Sequence, residues 1–123
     1  MRDYDNFFLP SNDLKAAKRF YSDVLGLTVK FDFSDRGMIA FHVGEQEPAI
    51  ILKDVNKFTN MKPTIWFVVD SVMETTERLK KNGIEFLSDP FQIPTGMAVE
   101  FEDPFGNRLG ITDYAKNEGK VHD

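Results

Sequence analysis

The sequence predicts an α+β fold in which one β-α-β-β-β unit occurs twice in tandem. Three observations carry the prediction. Asp13 precedes Gly26 by 13 residues, and Asp70 precedes Gly83 by the same 13. Each Asp follows an apolar stretch, and each Gly precedes another. Farther along, Gly37-Met38 and Gly96-Met97 each open a new apolar run that leads through a turn to a last strand. Four strands and one helix make too small a core to stand alone. The two modules (1–53 and 63–114, joined by 54–62) are therefore expected to form one domain, followed by a polar tail over 115–123.

The elements follow in order. Phe7-Phe8-Leu9 reads as the first strand. Ser11, Asn12 and Asp13 then offer oxygens to cap a helix. Leu14, Ala17, Phe20, Tyr21, Val24 and Leu25 recur at helical spacing, and Gly26 suits the left-handed position that ends a helix. Leu27–Phe31, Ile39–Val43 and Ala49–Lys53 supply the remaining strands of the first module. In the second module Ile65–Val69 is the opening strand, and Ser71-Val72-Met73-Glu74 has the capping-box pattern. Lys80 and Lys81 fall at the helix end that favours cations. The apolar stripe of this helix (Val72, Thr76, Leu79) is the weaker, so it is expected to be the more exposed of the two. Ile84–Leu87, Ala98–Glu102 and Arg108–Thr112 complete the module, with Asp103-Pro104-Phe105-Gly106 as a type I turn before the last strand.

Bulk composition removes several classes of function. With no cysteine, the chain has no disulfide, no thiolate metal site and no cysteine nucleophile. That usage suits a reducing cytosol. Neither a secretion signal nor an apolar run of about 18 to 20 residues is present, and a cytoplasmic location without membrane association is expected. A net charge of −5 argues against nucleic acid, whose phosphates need a basic face. It allows a modest preference for cationic ligands.

Paired modules carrying Phe20-Tyr21-Ser22-Asp23-Val24-Leu25-Gly26-Leu27 and Asp103-Pro104-Phe105-Gly106-Asn107 resemble the vicinal oxygen chelate superfamily. Glyoxalase I, bleomycin-resistance proteins, extradiol dioxygenases and fosfomycin-resistance enzymes belong to it. The resemblance covers residues 3 to 114. It implies a mixed sheet curled around a concave cleft, with helices outside, and a homodimer. Metal-dependent members take one ligand from the first strand and one from the last strand of each module. The matching positions here are Asn6, Thr64, Gly110 and either Ile51 or Leu52. Metal sites of this kind need imidazole or carboxylate donors, which none of these residues supplies. No metal and no other cofactor is expected.

The resemblance also sets which strand faces turn into the cleft. Asn6 and Phe8, Thr64 and Trp66, and Gly110 and Thr112 are expected to face inward, together with Ile39 and Phe41 on the third strand and Ala98 and Glu100 on its counterpart. His42 then falls on the opposite face and reads as structural. For Trp66 and Phe41, core filling stands beside a ligand platform; for Glu100, a partly apolar pocket stands beside a solvated rim. The candidate contacts are Asn6, Phe8, Phe41, Leu52, Thr64, Trp66, Gly110 and Thr112, with Glu100 as the candidate catalytic base. They point to a metal-free protein, similar to the bleomycin-resistance branch, that binds a small aromatic or cationic organic molecule. The alternative is a lyase or isomerase that uses Glu100 as general base or a metal site of unrecognised ligands.

Overall fold

The computed structural model describes residues 1–115. Of the polar tail expected over 115–123, all but Ala115 lies outside these residues. The strands are β1 (Asp3–Ser11), β2 (Thr28–Phe33), β3 (Met38–His42), β4 (Ala49–Asp54), β5 (Thr64–Val68), β6 (Phe91–Ile93), β7 (Gly96–Glu102) and β8 (Arg108–Thr112). With the helices α1 (Leu14–Arg19) and α2 (Val72–Lys81) they make an α+β fold whose sheet is mixed and unclosed. Two compact units divide the chain. The first is Asn6–Thr64; the second joins Met1–Asp5 to the chain from Ile65 onward.

In the first unit the strands lie in the order β2-β3-β4-β1. β1 runs parallel to β4, and the other pairs are antiparallel. Asp13 caps α1 by accepting from the Ala16 N–H at 3.0 Å. The helix then widens: Phe20–Val24 is a π-turn, in which the Leu25 N–H reaches back five residues to the Phe20 carbonyl. That widening displaces the expected apolar stripe. Leu14, Ala17 and Tyr21 pack on Ile39, Phe41 and Leu52, whereas Phe20, Val24 and Leu25 are exposed. Gly26 ends the turn at φ +75°. Each large side chain buried in this cluster contributes about 1.5–3 kcal/mol.

In the second unit the strands follow β5-β8-β7-β6, with the Arg2 N–H donating to the Val68 carbonyl at 2.7 Å. Ser71 caps α2 through the Glu74 N–H, as the capping-box pattern predicts. Both helices keep an exposed face, and they differ in how they bury the other. Val72, Thr75 and Thr76 are buried on α2, against Leu14 alone on α1. Small β-branched side chains let α2 sit close to its core of Val69, Val99, Phe101 and Ile111. Ile84–Leu87 does not form the expected strand: it keeps only a bridge between Phe86 and Phe101 and the Leu87 N–H bond to the Glu100 carbonyl. Pro90, which has no N–H to give a ladder, follows in the chain, and pairing with β7 resumes as β6.

The end of β8 is fastened by a buried carboxylate. Asp113 Oδ2 accepts from the Val72 N–H at the start of α2. Its Oδ1 accepts from the Met97 and Ala115 N–H groups. Gly96 leaves room for this clasp, because a Cβ there would stand 2.8 Å from the Ala115 nitrogen and closer still to Asp113 Oδ1.

Candidate functional site

Register assigns every strand residue to a face, since directly paired residues point to the same side of a sheet. In the first unit, Leu9, Leu52 and Ile39 lie in one row under α1. The opposite face carries three rows. One is Ala49, His42 and Thr28, with Asn6 accepting from the Ala49 N–H at 3.0 Å. The next is Phe8, Ile51, Ala40 and Phe31, and the third is Pro10, Lys53, Met38 and Phe33.

This geometry corrects three expectations. Phe41 is fully buried on the helix face, its ring stacked on Tyr21 at 5.2 Å between centroids. Ile39 and Leu52 are buried beside it, whereas Ile51 lies on the face of Phe8. His42, expected to turn away, is on that same face, opposite Ala49. Ile39, Phe41 and His42 share one cause: the parity carried over from the family places β3 one residue out of phase, and a one-residue slip exchanges the two faces of a strand. For Leu52, on β4, the resemblance had left Ile51 as the other choice.

In the second unit the expected parity agrees with the register. Ala98 pairs with Thr112 and Glu100 with Gly110, while Val99, Phe101 and Ile111 pack with α2. Glu100 is half-buried. Trp66 is buried, and its indole lies on Gly110. A Cβ on Gly110 would stand 2.8 Å from Trp66 Cε3 and closer still to Cδ2 and Cε2. The space at Gly110 is thus filled by the protein's own ring. Thr112 donates its hydroxyl to the Met97 carbonyl at 3.1 Å, and Thr64 donates its own to the Lys62 carbonyl at 2.8 Å. Three of the expected polar contacts, Asn6, Thr64 and Thr112, thus hold backbone.

The four positions that resemblance assigns to metal ligands do not fit a metal. Ile51 and Gly110 have no donor atom, and Asn6 and Thr64 are neutral oxygens already engaged with backbone. At Gly110 the indole occupies the volume into which a carboxylate side chain would extend. Among the described residues, no three His, Cys, Asp or Glu side chains gather as a possible metal site.

Lys53 is the group that sequence reasoning missed. Its Nζ lies 4.4 Å from the ring centroid of Phe8 and 4.7 Å from that of Phe58. Phe58 belongs to the segment that the sequence presents only as a connector. Asp54 folds that segment, accepting at its carbonyl from the Lys57 and Phe58 N–H groups and at its carboxylate from Asn56. Gly37, at φ +89°, lets the fold close, with Phe58 Cε2 only 3.1 Å from where a Cβ would be. The signal available in sequence was the parity of Lys53 with Ile51, two residues apart on one strand.

Comparison with known proteins agrees with this architecture. The family model described as Glyoxalase/Bleomycin resistance protein/Dioxygenase superfamily matches residues 4–111. The chain is 31% identical to the uncharacterized protein YetH of Bacillus subtilis (strain 168), with 77% of this chain and 84% of that protein covered. Among solved structures it is similar to methylmalonyl-CoA epimerase from Mycobacterium tuberculosis (TM-score 0.69, 16% identity, 90% of this chain and 87% of that one). It is also similar to a glyoxalase/bleomycin resistance protein/dioxygenase superfamily member from Vibrio splendidus 12B01 (TM-score 0.66, 16% identity, 87% and 95%). At these identities the likeness to solved structures concerns the fold. No helix among the described residues is long and apolar enough to cross a membrane.

Proposed function

The chain belongs to the Glyoxalase/Bleomycin resistance protein/Dioxygenase superfamily, and we propose that within it the protein binds a small, flat organic molecule without a metal ion. The observation that carries this reading is the indole of Trp66 seated on Gly110. The superfamily's last-strand carboxylate position is thereby filled by an apolar ring. Within the first unit, Phe8 and Phe31 form an aromatic row on the face away from α1. Rings placed there stack on flat ligands for about 0.5–1.5 kcal/mol per pair. The expected preference for a cationic ligand has no support on this face, because the ring of Phe8 already meets the Lys53 ammonium. Assembly as a homodimer, residence in the cytosol and a single domain over 1–114 belong to the same proposal.

One observation favours a second reading, a lyase or isomerase. Glu100 is half-buried and pairs with Gly110, on the face of Trp66. In this reading the Glu100 carboxylate takes a proton from a bound substrate. Glu100→Gln then abolishes turnover while leaving substrate affinity largely intact.

Metal analysis of the purified protein, with titration of flat aromatic compounds against the emission of the sole tryptophan, tests the main reading. The expected result is no stoichiometric metal and a saturable change in Trp66 emission. Stoichiometric zinc, nickel, iron or manganese, or an emission unmoved by every compound, overturns it.

A further inference from the structure

We infer that the first unit carries a binding site on the helix side of its sheet, and that the site takes an organic ammonium ion with an aromatic body. A groove of about 510 Å³ runs along one flank of α1. Ala16, Ala17, Phe20 and Tyr21 line it from the helix, Leu52 from β4, and Val55 from just after that strand. All of the lining belongs to the first unit, and Leu52 lies in the row beneath α1. The site is therefore separate from the Phe8 face and does not depend on a ligand there. The helix is sorted by side. At about 3.6 residues per turn, Lys15, Lys18 and Arg19 fall on the flank opposite the groove, and Lys18 is spent on Asp32 at 2.8 Å. Asp13 is the only charged residue in the lining. The π-turn supplies the ring: Phe20 is 49% exposed, and it meets Tyr21 edge-on at 5.3 Å between centroids. Tyr21 is in turn stacked on buried Phe41, so the aromatic wall is braced from behind.

The sign of the ligand's charge follows from Asp13. Its Oδ1 accepts from the Ala16 N–H at 3.0 Å, and among the described residues its Oδ2 has no partner. The Ala17 N–H is taken by the Asp13 carbonyl, also at 3.0 Å. An anion entering the groove meets a carboxylate and finds both of these N–H groups occupied. An ammonium instead gains a charge-assisted hydrogen bond to Oδ2. Its apolar body then covers Ala16, Phe20 and Val55 and releases the water that hydrates them. The face of Phe20 adds attraction for the cation itself.

Naphthylmethylammonium, naphthylmethanol and naphthylacetate, titrated into isotope-labelled protein and followed by amide NMR shifts, test this. Saturable shifts are expected at Ala16, Ala17, Phe20 and Val55. The ammonium probe should bind at least about fivefold more tightly than the alcohol, with the acetate weakest. Asp13→Asn keeps the cap, because Asn and Asp serve about equally there. It should remove the preference for the ammonium and leave the alcohol's affinity unchanged. Ala16→Leu fills the groove and should weaken the ammonium and the alcohol alike. Thermal melts and size-exclusion chromatography show that each variant is folded and of unchanged assembly. Shifts absent from these amides, or confined to the Trp66 indole N–H, overturn the inference. So does a preference for the ammonium that is missing in the wild type or survives Asp13→Asn. A dimer that Ala16→Leu breaks apart would give the groove to a second copy of the chain and overturn it equally.

Discussion

Gly110→Ala probes the ring-on-glycine contact directly. The new methyl carbon would stand 2.8 Å from Trp66 Cε3 and nearer to two other ring carbons, well inside van der Waals contact of about 3.5–4.0 Å. The clash has two routes of relief. The indole can leave its place, which exposes about 150–250 Å² of buried ring and costs about 4–6 kcal/mol. Alternatively, the ring and β8 can shift apart, an overpacking strain of about 1–3 kcal/mol. The second is cheaper and sets the expected loss. For a domain of this size each kcal/mol lowers the melting temperature by roughly 3–5 °C, so the drop is about 5–10 °C. Urea and thermal unfolding followed by Trp66 emission measure it in the Gly110 variant. In a Trp66→Ala background the methyl meets no ring, and circular dichroism should find the substitution close to neutral. The double-mutant cycle therefore yields a coupling of about 2 kcal/mol. A melting temperature within about 1 °C of wild type, or the same penalty in both backgrounds, would refute the contact and the metal-free reading built on it.

Removing the Asp113 carboxylate leaves the Val72, Met97 and Ala115 N–H groups without their acceptor. Bonds to a charged acceptor contribute about 1.5–3 kcal/mol each and do not add fully, so Asp113→Ala should cost about 3–5 kcal/mol; a urea-denaturation loss under about 1 kcal/mol would contradict the clasp. The pH limits of stability should show two local contributions. Hydrogen bonds from Lys18 and then Ser34 hold Asp32 at about 2, below its ordinary 3.8. Its contribution is full above pH 3.8 and fades as pH falls toward 2, and Lys18→Met should flatten that limb of the stability–pH curve. At the alkaline end, partial burial and then the Asp5 carboxylate, to which the phenol donates, raise Tyr114 above its ordinary value. Its contribution is full below about pH 10 and is lost as pH climbs beyond it, so Tyr114→Phe should remove that alkaline loss.

Local chemistry made most of the fold legible. The second cap could be named from sequence and the first narrowed to Ser11, Asn12 and Asp13, because Asp13 and Ser71 each have an acceptor oxygen and the right N–H three residues on. The Asp103–Asn107 turn was equally readable: its carboxylate accepts from the Phe105 and Asn107 N–H groups, and its carbonyl from Gly106. What misled was tertiary. Nothing in Phe20–Leu25 announces a π-turn, since the same spacing serves a regular helix. Nothing in Ile84–Leu87 reveals that β7 accepts it at one bridge only. The candidate contacts Phe8, Trp66, Gly110 and Thr112 have the expected parity, yet Trp66 and Gly110 meet each other and Thr112 bonds backbone.

The two Gly-Met pairs show why part of the site was out of reach. In sequence they are the same signal. In the structure they perform different tasks. Gly37 closes a short 3-10 turn at φ +89° and takes Phe58 against its bare face. Gly96 begins β7 and packs under Asp113. A duplicated dipeptide therefore marks no common phase, and strand phase is what decides a binding face. The error had direct chemical consequences. It sent Phe41 into the presumed site and hid His42, while a face set correctly for Ile51 draws in Lys53, two residues on. Once β3 is moved by one residue, the face of Phe8 carries His42 from β3 in place of Phe41, beside Lys53 from β4. The register of one five-residue strand thus decides whether Phe41 or His42 shares the face of Phe8.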